Sequence, residues 1–267
     1  MVPFLKWAGG KRWLFTPEFV ERLPEFKRYI EPFLGGGAGF FALEPNNAIL
    51  SDINPELIEL YEVVRDHPVG LKRQISIHQA EHSKSYYYAV RSDIPDTKVR
   101  RAARTLYLNR TCWNGLYRRN LKGEFNVPIG TKNTVMLDTD NFEHASKLLS
   151  EASLMNVDFE ETISKAAASD LLFVDPPYTV KHNMNGFVKY NEKIFSWADQ
   201  IRLKDALHEA SSRGAFIIVT NADHPSIKEL YAESFEYKNL ARASVLAGKS
   251  SARGQTTEAI FSNHHRL

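Results

Sequence analysis

A strand-like run from Tyr29 to Phe33 leads directly into a glycine-rich turn, with glycines at positions 35, 36, 37 and 39. A short helix is predicted over Phe40 to Leu43, and a second strand is predicted over Ala48 to Ser51 and closed by Asp52. A strand, a glycine turn, a helix and another strand in this order indicate parallel strands joined by helices. The chain is therefore predicted to form an open α/β sheet that binds ligands at the carboxyl ends of its strands.

Gly35, Gly37 and Asp52 predict a nucleoside site at this end of the sheet. Glycine lets a backbone approach a ligand closely, and an acidic side chain at the next strand end can accept hydrogen bonds from ribose hydroxyls. The glycines alone are also compatible with a purely structural turn, but the added Asp52 favours the nucleoside. A nicotinamide dinucleotide would need a pyrophosphate site at the start of the helix. S-adenosylmethionine has no phosphate and tolerates the bulky pair Phe40-Phe41 there.

A further apolar strand, Leu171 to Val174, ends in the tetrapeptide Asp175-Pro176-Pro177-Tyr178. The exocyclic N6 amine of adenine is a poor nucleophile because its lone pair is delocalised into the ring. A carboxylate and a backbone carbonyl that accept its two N–H bonds would localise that lone pair, and Asp175 and the Pro176 carbonyl can do this. The two prolines make the backbone rigid, and the ring of Tyr178 can stack on an extruded base. The alternative is that Asp175 caps a loop and the prolines only end the strand.

Residues 66–145 differ in character from the rest of the chain and are predicted to form an inserted, mostly helical lobe. From Lys98 to Lys122 the chain holds eight basic residues and no acidic one. A second acid-free stretch, Lys238 to Thr257, predicts a mobile basic loop. Both stretches could follow the phosphates of a nucleic acid. We expect a catalytic domain made of residues 1–65 and 146–267 and a target-recognition domain at 66–145.

With these motifs in place, the chain resembles the Dam-type adenine-N6 DNA methyltransferases (D12 class, alpha group). Their recognition region lies between the cofactor motif and the catalytic tetrapeptide. The resemblance covers nearly the whole chain, through Phe4 to Lys11, Glu31 to Gly39, Ser51 to Asn54, Leu108 to Arg110, Asn114-Gly115, Lys122 to Pro128 and Asp175 to Tyr178. It implies a Rossmann-like sheet of the S-adenosylmethionine-dependent methyltransferase type, with a DNA-recognition lobe inserted into it.

The same resemblance implies roles for individual residues. Those implied to surround the cofactor are Trp7, Lys11, Phe33, Gly35, Gly37, Asp52, Ile53, Asp158, Phe159 and Asp175. Phe159 would pack near the cofactor adenine, although its setting is also typical of an ordinary strand end. Those predicted to contact DNA, from a hairpin over 109–130 and from the second basic stretch, are Arg110, Asn114, Arg118, Arg119, Asn120, Lys122, Lys249 and Arg253. Arginine can read guanine and asparagine can read adenine in the major groove, whereas the alternative is a solvated basic face.

The predicted activity is direct in-line transfer of a methyl group to an adenine that has flipped out of double-stranded DNA, with Asp175 orienting the amine. Residues Phe187 to Tyr190 are implied to close the site over that base. A short palindrome of the GATC type is the default target. A six-base or relaxed target stays open, because the chain departs from familiar family members at Cys112-Trp113, Tyr117 to Arg119 and Leu246 to Thr257.

Several alternatives to this activity stay open. They are methylation of RNA adenine or of a protein glutamine, a catalytically silent DNA-binding relative, and a nicotinamide oxidoreductase. We expect a monomer, and a cognate restriction nuclease is compatible with the family.

The apolar runs, the single cysteine and the histidines argue against a membrane span, an internal disulfide, a covalent intermediate and a metal site. The longest apolar runs, such as Ala215 to Val219, are far shorter than the roughly 20 residues that cross a bilayer. The single cysteine, Cys112, cannot form an internal disulfide, so a cytoplasmic location is expected. Cys112 also lacks the Pro-Cys context of cytosine-C5 methyltransferases, so no covalent intermediate is expected. The nine histidines have no ligand spacing, and no metal site is predicted.

Overall fold

The computed structural model describes residues 1–115, 117–118, 124–181, 195–243 and 255–267. Its strands are β1 (Arg28–Glu31), β2 (Ala48–Ser51), β3 (Ala152–Met155), β4 (Asp170–Val174), β5 (Phe216–Ala222), β6 (Glu236–Ala243) and β7 (Gln255–Ser262). They form one sheet of seven strands in the order β3-β2-β1-β4-β5-β7-β6. The pairs β2–β3, β1–β4 and β4–β5 are parallel, whereas β7 is antiparallel to both β5 and β6. The predicted Rossmann-like α/β sheet is confirmed, and the antiparallel edge is an addition that we did not predict.

Helices precede or follow most of these strands. They are α1 (Pro17–Val20), α2 (Ala38–Leu43), α3 (Pro55–Asp66), α4 (Pro68–Glu81), α5 (Lys84–Ser92), α6 (Lys98–Thr111), α7 (Phe142–Ser150), α8 (Phe159–Ile163), α9 (Trp197–Ser212) and α10 (Pro225–Tyr231). Local sequence explains several of their starts, since Asn54, Thr97 and Ser196 each accept a hydrogen bond from a backbone N–H of the first turn. In the described part of the chain, no helix is long and apolar enough to cross a membrane.

Contacts within the chain define two compact units. The first comprises Met1–Phe15 with Leu34–Val157, and the second comprises Thr16–Phe33 with Asp158–Leu267. These borders fall at other residues than those of the predicted domains at 1–65, 66–145 and 146–267. A compact unit is not a test of a functional domain, so that division stays a prediction.

Helix α6 is the core helix of the first unit. All of its residues from Ala102 to Thr111 are buried, including two arginines. It packs against α3, α4 and α5, and α3 presents Leu57, Tyr61 and Val64 to this core. The predicted helical character of the segment 66–145 is thus seen in α4, α5 and α6.

In the second unit, strands β4 and β5 have apolar side chains on both faces. Residues Asp170 to Val174 are all buried, as are Ile217 to Asn221, which is typical of a parallel sheet covered on both sides. The strand order reverses between β1 and β4, because the strand numbers fall from β3 to β1 on one side of this point and rise from β4 to β5 on the other. Ligands bind open α/β sheets at the carboxyl ends of the strands flanking such a reversal. Phe33 follows β1 closely and Asp175 follows β4 directly.

Candidate active site

The glycine turn of the first unit is tied to Asp52 by backbone hydrogen bonds. Gly35 has φ of 47° and Gly37 has φ of 65°, a region in which residues with a Cβ are strained. The Gly35 N–H donates to Asp52 Oδ2 at 3.0 Å, and the Asn54 N–H donates to Asp52 Oδ1 at 3.0 Å. The Tyr61 hydroxyl donates to the Gly35 carbonyl at 3.0 Å. The turn and the end of β2 are therefore held in one fixed arrangement, and the cofactor role of Gly35, Gly37 and Asp52 stays a prediction.

The electrostatics of Asp52 suit a ligand that brings hydroxyl groups. Burial raises the pKa of Asp52 above its usual value, and the two N–H donors oppose that rise. Each carboxylate oxygen has two lone pairs, so an oxygen that accepts one backbone N–H can accept a second donor, such as a ribose hydroxyl. The neighbouring Ile53 side chain is 66% exposed, which makes it an apolar surface beside this carboxylate. The residue types present fit a nucleoside.

Trp7 is held against the same turn. A Cβ placed on Gly35 would lie 2.8 Å from Trp7 Cδ1, so glycine is required for this close approach. The indole also stacks on the Tyr117 ring, at a centroid distance of 5.9 Å. Tyr117 in turn donates its hydroxyl to Glu56, at the start of α3. Lys11 is 2% exposed, and its Nζ donates to the Gly9 carbonyl at 2.6 Å.

Three phenylalanine rings form a cluster in the second unit. The rings of Phe33 and Phe159 stack at 5.4 Å, and Phe195 packs on both at 5.6 Å. The structure thus brings together two residues for which a cofactor role is predicted, and adds Phe195, which the sequence did not single out. Asp158 caps α8 by accepting from the Glu160 N–H at 3.0 Å and pairs with Arg202 at 2.9 Å. These contacts explain Asp158 structurally, and its cofactor role stays a prediction.

The tetrapeptide 175–178 follows β4 directly, and its two polar side chains have fixed partners. Thr220 Oγ1 donates to Asp175 Oδ1 at 2.7 Å, and the Tyr178 hydroxyl donates to Glu258 Oε2 at 2.8 Å. Burial and the nearby carboxylates of Asp175 and Glu258 raise the pKa of Tyr178 well above its usual range. The phenol therefore stays neutral. An oriented carboxylate at the end of a parallel strand can accept a hydrogen bond from an amine substrate.

The DNA contact predicted for Arg110 disagrees with the structure. Its guanidinium side chain is 4% exposed and pairs with both oxygens of Asp140, at 2.5 and 2.7 Å. It also donates to the carbonyls of Val135 and Phe4, at 2.6 and 2.9 Å. A guanidinium committed in this way cannot reach a phosphate, so we correct the assignment to a structural one.

The basic stretch from Lys98 to Lys122 also presents less positive charge to solvent than its eight basic residues suggest. Lys98 pairs with Glu62, and Arg101 forms a bidentate pair with Glu59 on α3. Arg104 is buried and donates to the carbonyls of residues 90 and 91. Part of this charge therefore neutralises acidic residues elsewhere in the first unit. The absence of acidic residues within the stretch itself cannot reveal such pairing.

Two of the remaining residues predicted to contact DNA are described, and both are exposed. Asn114 has φ of 56° and follows the exposed Trp113, while Arg118 lies three residues beyond the left-handed Gly115. Their DNA contacts stay predictions. Outside the described residues lie Arg119, Asn120, Lys122, Lys249, Arg253 and the loop from Phe187 to Tyr190.

Cys112 has the properties of a structural thiol. It is 4% exposed, and burial raises its pKa to about 11. A protonated, buried thiol is a poor nucleophile. This environment agrees with the expectation that no covalent intermediate forms on Cys112.

Comparison with known proteins places the chain in a family. Residues 7–245 match the family described as D12 class N6 adenine-specific DNA methyltransferase. The chain is 39% identical over 272 residues to the type II methyltransferase M1.LlaDCHI of Lactococcus lactis subsp. cremoris, covering 98% of this chain and 95% of that protein. It is 36% identical to the type II methyltransferase M.MjaIII of Methanocaldococcus jannaschii, covering 94% of each. It is 33% identical to the DNA adenine methylase of Serratia marcescens, covering 91% of each.

Proposed function

This chain belongs to the family of D12 class N6 adenine-specific DNA methyltransferases, and from this premise we propose that it methylates adenine N6 at a defined short sequence of double-stranded DNA, with S-adenosylmethionine as methyl donor. The observation that carries the proposal is the Asp175 carboxylate, fixed by Thr220 at the end of β4 and followed by two prolines. When bound, S-adenosylmethionine supplies a methyl group made electrophilic by a positively charged sulfur.

Asp175 is the residue we propose to act on the target amine. Its carboxylate and the Pro176 carbonyl accept the two N–H bonds of N6, which turns the nitrogen lone pair away from the ring and towards the methyl group. The enzyme then contributes alignment rather than a nucleophile of its own. The raised pKa of Cys112 supports a mechanism without a covalent intermediate.

Base flipping is part of the proposal, because N6 of a stacked adenine cannot reach a side chain at a strand end. Tyr178 offers a ring whose hydroxyl is anchored on Glu258, and such an anchored ring can stack on the flipped base at little cost in conformational entropy. For the cofactor, we propose that Asp52 accepts hydrogen bonds from the ribose hydroxyls beside the Gly35 turn. The packing of Phe159 near the cofactor adenine stays a prediction.

The DNA target is proposed on the family alone. A GATC-type palindrome is the default, and Arg118 and Asn114 are the described side chains that could read guanine and adenine edges. Because two relatives are named type II methyltransferases, we also propose a cognate restriction nuclease as partner. The simplest form of the enzyme is a monomer that acts on one strand at a time.

Single-molecule sequencing of DNA from a methylation-free host tests this function. The host expresses either the wild type, Asp175→Ala, or the control Asp205→Ala, which removes an exposed carboxylate on α9. We expect N6-methyladenine at one motif with the wild type and the control, and none with Asp175→Ala. The motif itself identifies the target. Absence of modification with all three proteins would contradict DNA methylation and favour RNA methylation or non-catalytic DNA binding.

A further inference from the structure

Two buried polar side chains contact the tetrapeptide, and apolar packing does not explain their presence. Thr220 on β5 is fully buried, and Glu258 on β7 is 3% exposed. Burying a carboxylate costs free energy that its hydrogen bonds only partly return, and apolar replacements of buried ionic groups are often neutral or stabilising. A sheet built for stability alone would hold apolar residues at these positions.

The register of the sheet brings Thr220 to Asp175. Strands β4 and β5 are parallel, and Val174 pairs with Val219. Asp175 follows Val174 and Thr220 follows Val219, so these two residues lie side by side just beyond this pair. The resulting hydrogen bond of 2.7 Å runs from a hydroxyl to a carboxylate, the short, charge-assisted kind that fixes the rotamer of the carboxylate.

The register also brings Glu258 to the same face as Thr220. In the antiparallel pair β5–β7, Thr220 lies opposite Ile260 and Ala222 lies opposite Glu258. Side chains two residues apart on a strand share a face, so Thr220 and Glu258 are diagonal neighbours. The Tyr178 hydroxyl reaches Glu258 at 2.8 Å. Asp175 and Tyr178 are thus each hydrogen-bonded to a side chain of β5 or β7, and Thr220 lies within hydrogen-bonding reach of Tyr178 as well as of Asp175.

We propose that Thr220 and Glu258 are positioning residues for methyl transfer, Thr220 by fixing the plane of the Asp175 carboxylate and Glu258 by fixing the ring of Tyr178. This inference rests on the proposed function. A carboxylate that rotates, or a ring that swings away, lowers the fraction of bound substrate in a reactive geometry, and such misplacement lowers rates by about 10- to 100-fold. The loss falls on kcat, because neither residue is assigned a contact with cofactor or DNA.

The test compares deletion of each group with its conservative replacement in the full chain. Thr220→Val keeps the shape of the side chain and removes the hydroxyl, whereas Thr220→Ser keeps the hydroxyl. Glu258→Leu removes the acceptor, whereas Glu258→Gln keeps one. Ser262→Ala is the matched control, because it removes a buried hydroxyl from β7, the strand that holds Glu258. This hydroxyl accepts a hydrogen bond from the His264 N–H at 2.9 Å.

The readouts are the single-turnover rate of tritiated methyl transfer to DNA that carries the target motif, the Kd values of S-adenosylmethionine and DNA, and the thermal unfolding midpoint. We expect Thr220→Val and Glu258→Leu to lower the rate by about 10- to 100-fold with both Kd values within about threefold. Thr220→Ser and Glu258→Gln should restore most of the rate, and Ser262→Ala should leave it unchanged. If Thr220→Val or Glu258→Leu does not fold, Thr220→Ala and Glu258→Met replace them.

A double-mutant cycle checks that Glu258 acts through Tyr178. If it does, the double variant Tyr178→Phe, Glu258→Leu should be no slower than the slower single variant. Wild-type rates in Thr220→Val and Glu258→Leu, or losses confined to Kd or to the unfolding midpoint, would overturn the inference. That outcome differs from failure of the proposed function, in which the wild type itself transfers no methyl group to DNA.

Discussion

Replacing Arg110 by methionine is expected to destabilise the protein strongly without weakening DNA binding by the folded molecule. The substitution removes a bidentate pair in which the Arg110 and Asp140 side chains are 4% and 7% exposed, together with two hydrogen bonds to backbone carbonyls. Removing one partner of a buried pair leaves an uncompensated charge and costs about 3–5 kcal/mol. Arg118→Met, at an exposed position, should change the free energy of unfolding by less than about 0.5 kcal/mol.

Urea denaturation followed by circular dichroism measures the stability, and fluorescence anisotropy with duplex DNA measures the affinity. The double variant Arg110→Met, Asp140→Leu should recover much of the lost stability, because it removes the buried charge that the single variant leaves behind. It also keeps the reasoning testable if the single variant does not fold. An Arg110→Met protein with wild-type stability and weakened DNA binding would refute the structural assignment and restore the DNA contact.

Three further expectations follow from the described residues. Burial raises the pKa of Asp52 above 3.8, and the proposed ribose hydroxyls would donate to its ionised form. Calorimetry should therefore show S-adenosylmethionine affinity falling as the pH drops through this raised pKa, at a higher pH than for an ordinary aspartate, and Asp52→Asn should abolish that dependence. Gly35→Ala should cost about 1–2 kcal/mol of unfolding free energy for the left-handed backbone alone, whereas Gly70→Ala inside α4, with its nearest neighbour at 3.5 Å, should be neutral or stabilising. Cys112, with its pKa raised to about 11, should resist thiol reagents until the protein unfolds, and Cys112→Ala should retain methylation.

The parts of the fold that depend on local sequence were predictable. Strands β1, β2 and β4 and the turn at Gly35 lie within one or two residues of the predicted positions, because apolar runs and glycines depend on local sequence. The antiparallel edge was not predicted. Strands β6 and β7 lack a continuous apolar run and flank a basic segment, so their sequences do not predict that they pair.

The error at Arg110 has a physical cause that applies to the whole basic stretch. A window free of acidic residues indicates a positive surface only if no acid from another element lies opposite. Asp140 is thirty residues from Arg110, and Glu59 on α3 is forty-two residues from Arg101. Helix burial decides which arginines face such partners, and sequence charge counts do not contain that information.

The same reasoning explains why the sequence predicts a role for Asp175 but none for Thr220 and Glu258. Asp175 can be identified from sequence because a carboxylate, two prolines and a tyrosine directly follow an apolar strand. Thr220 is typical of any strand, and Glu258 stands in a short polar run that predicts exposure rather than burial. Their proximity to the tetrapeptide results from two strand registers, one parallel and one antiparallel, which join residues 45 and 80 positions apart. A candidate reactive motif can therefore be located from sequence, but the groups proposed to hold it in a reactive geometry follow only from how the neighbouring strands pair.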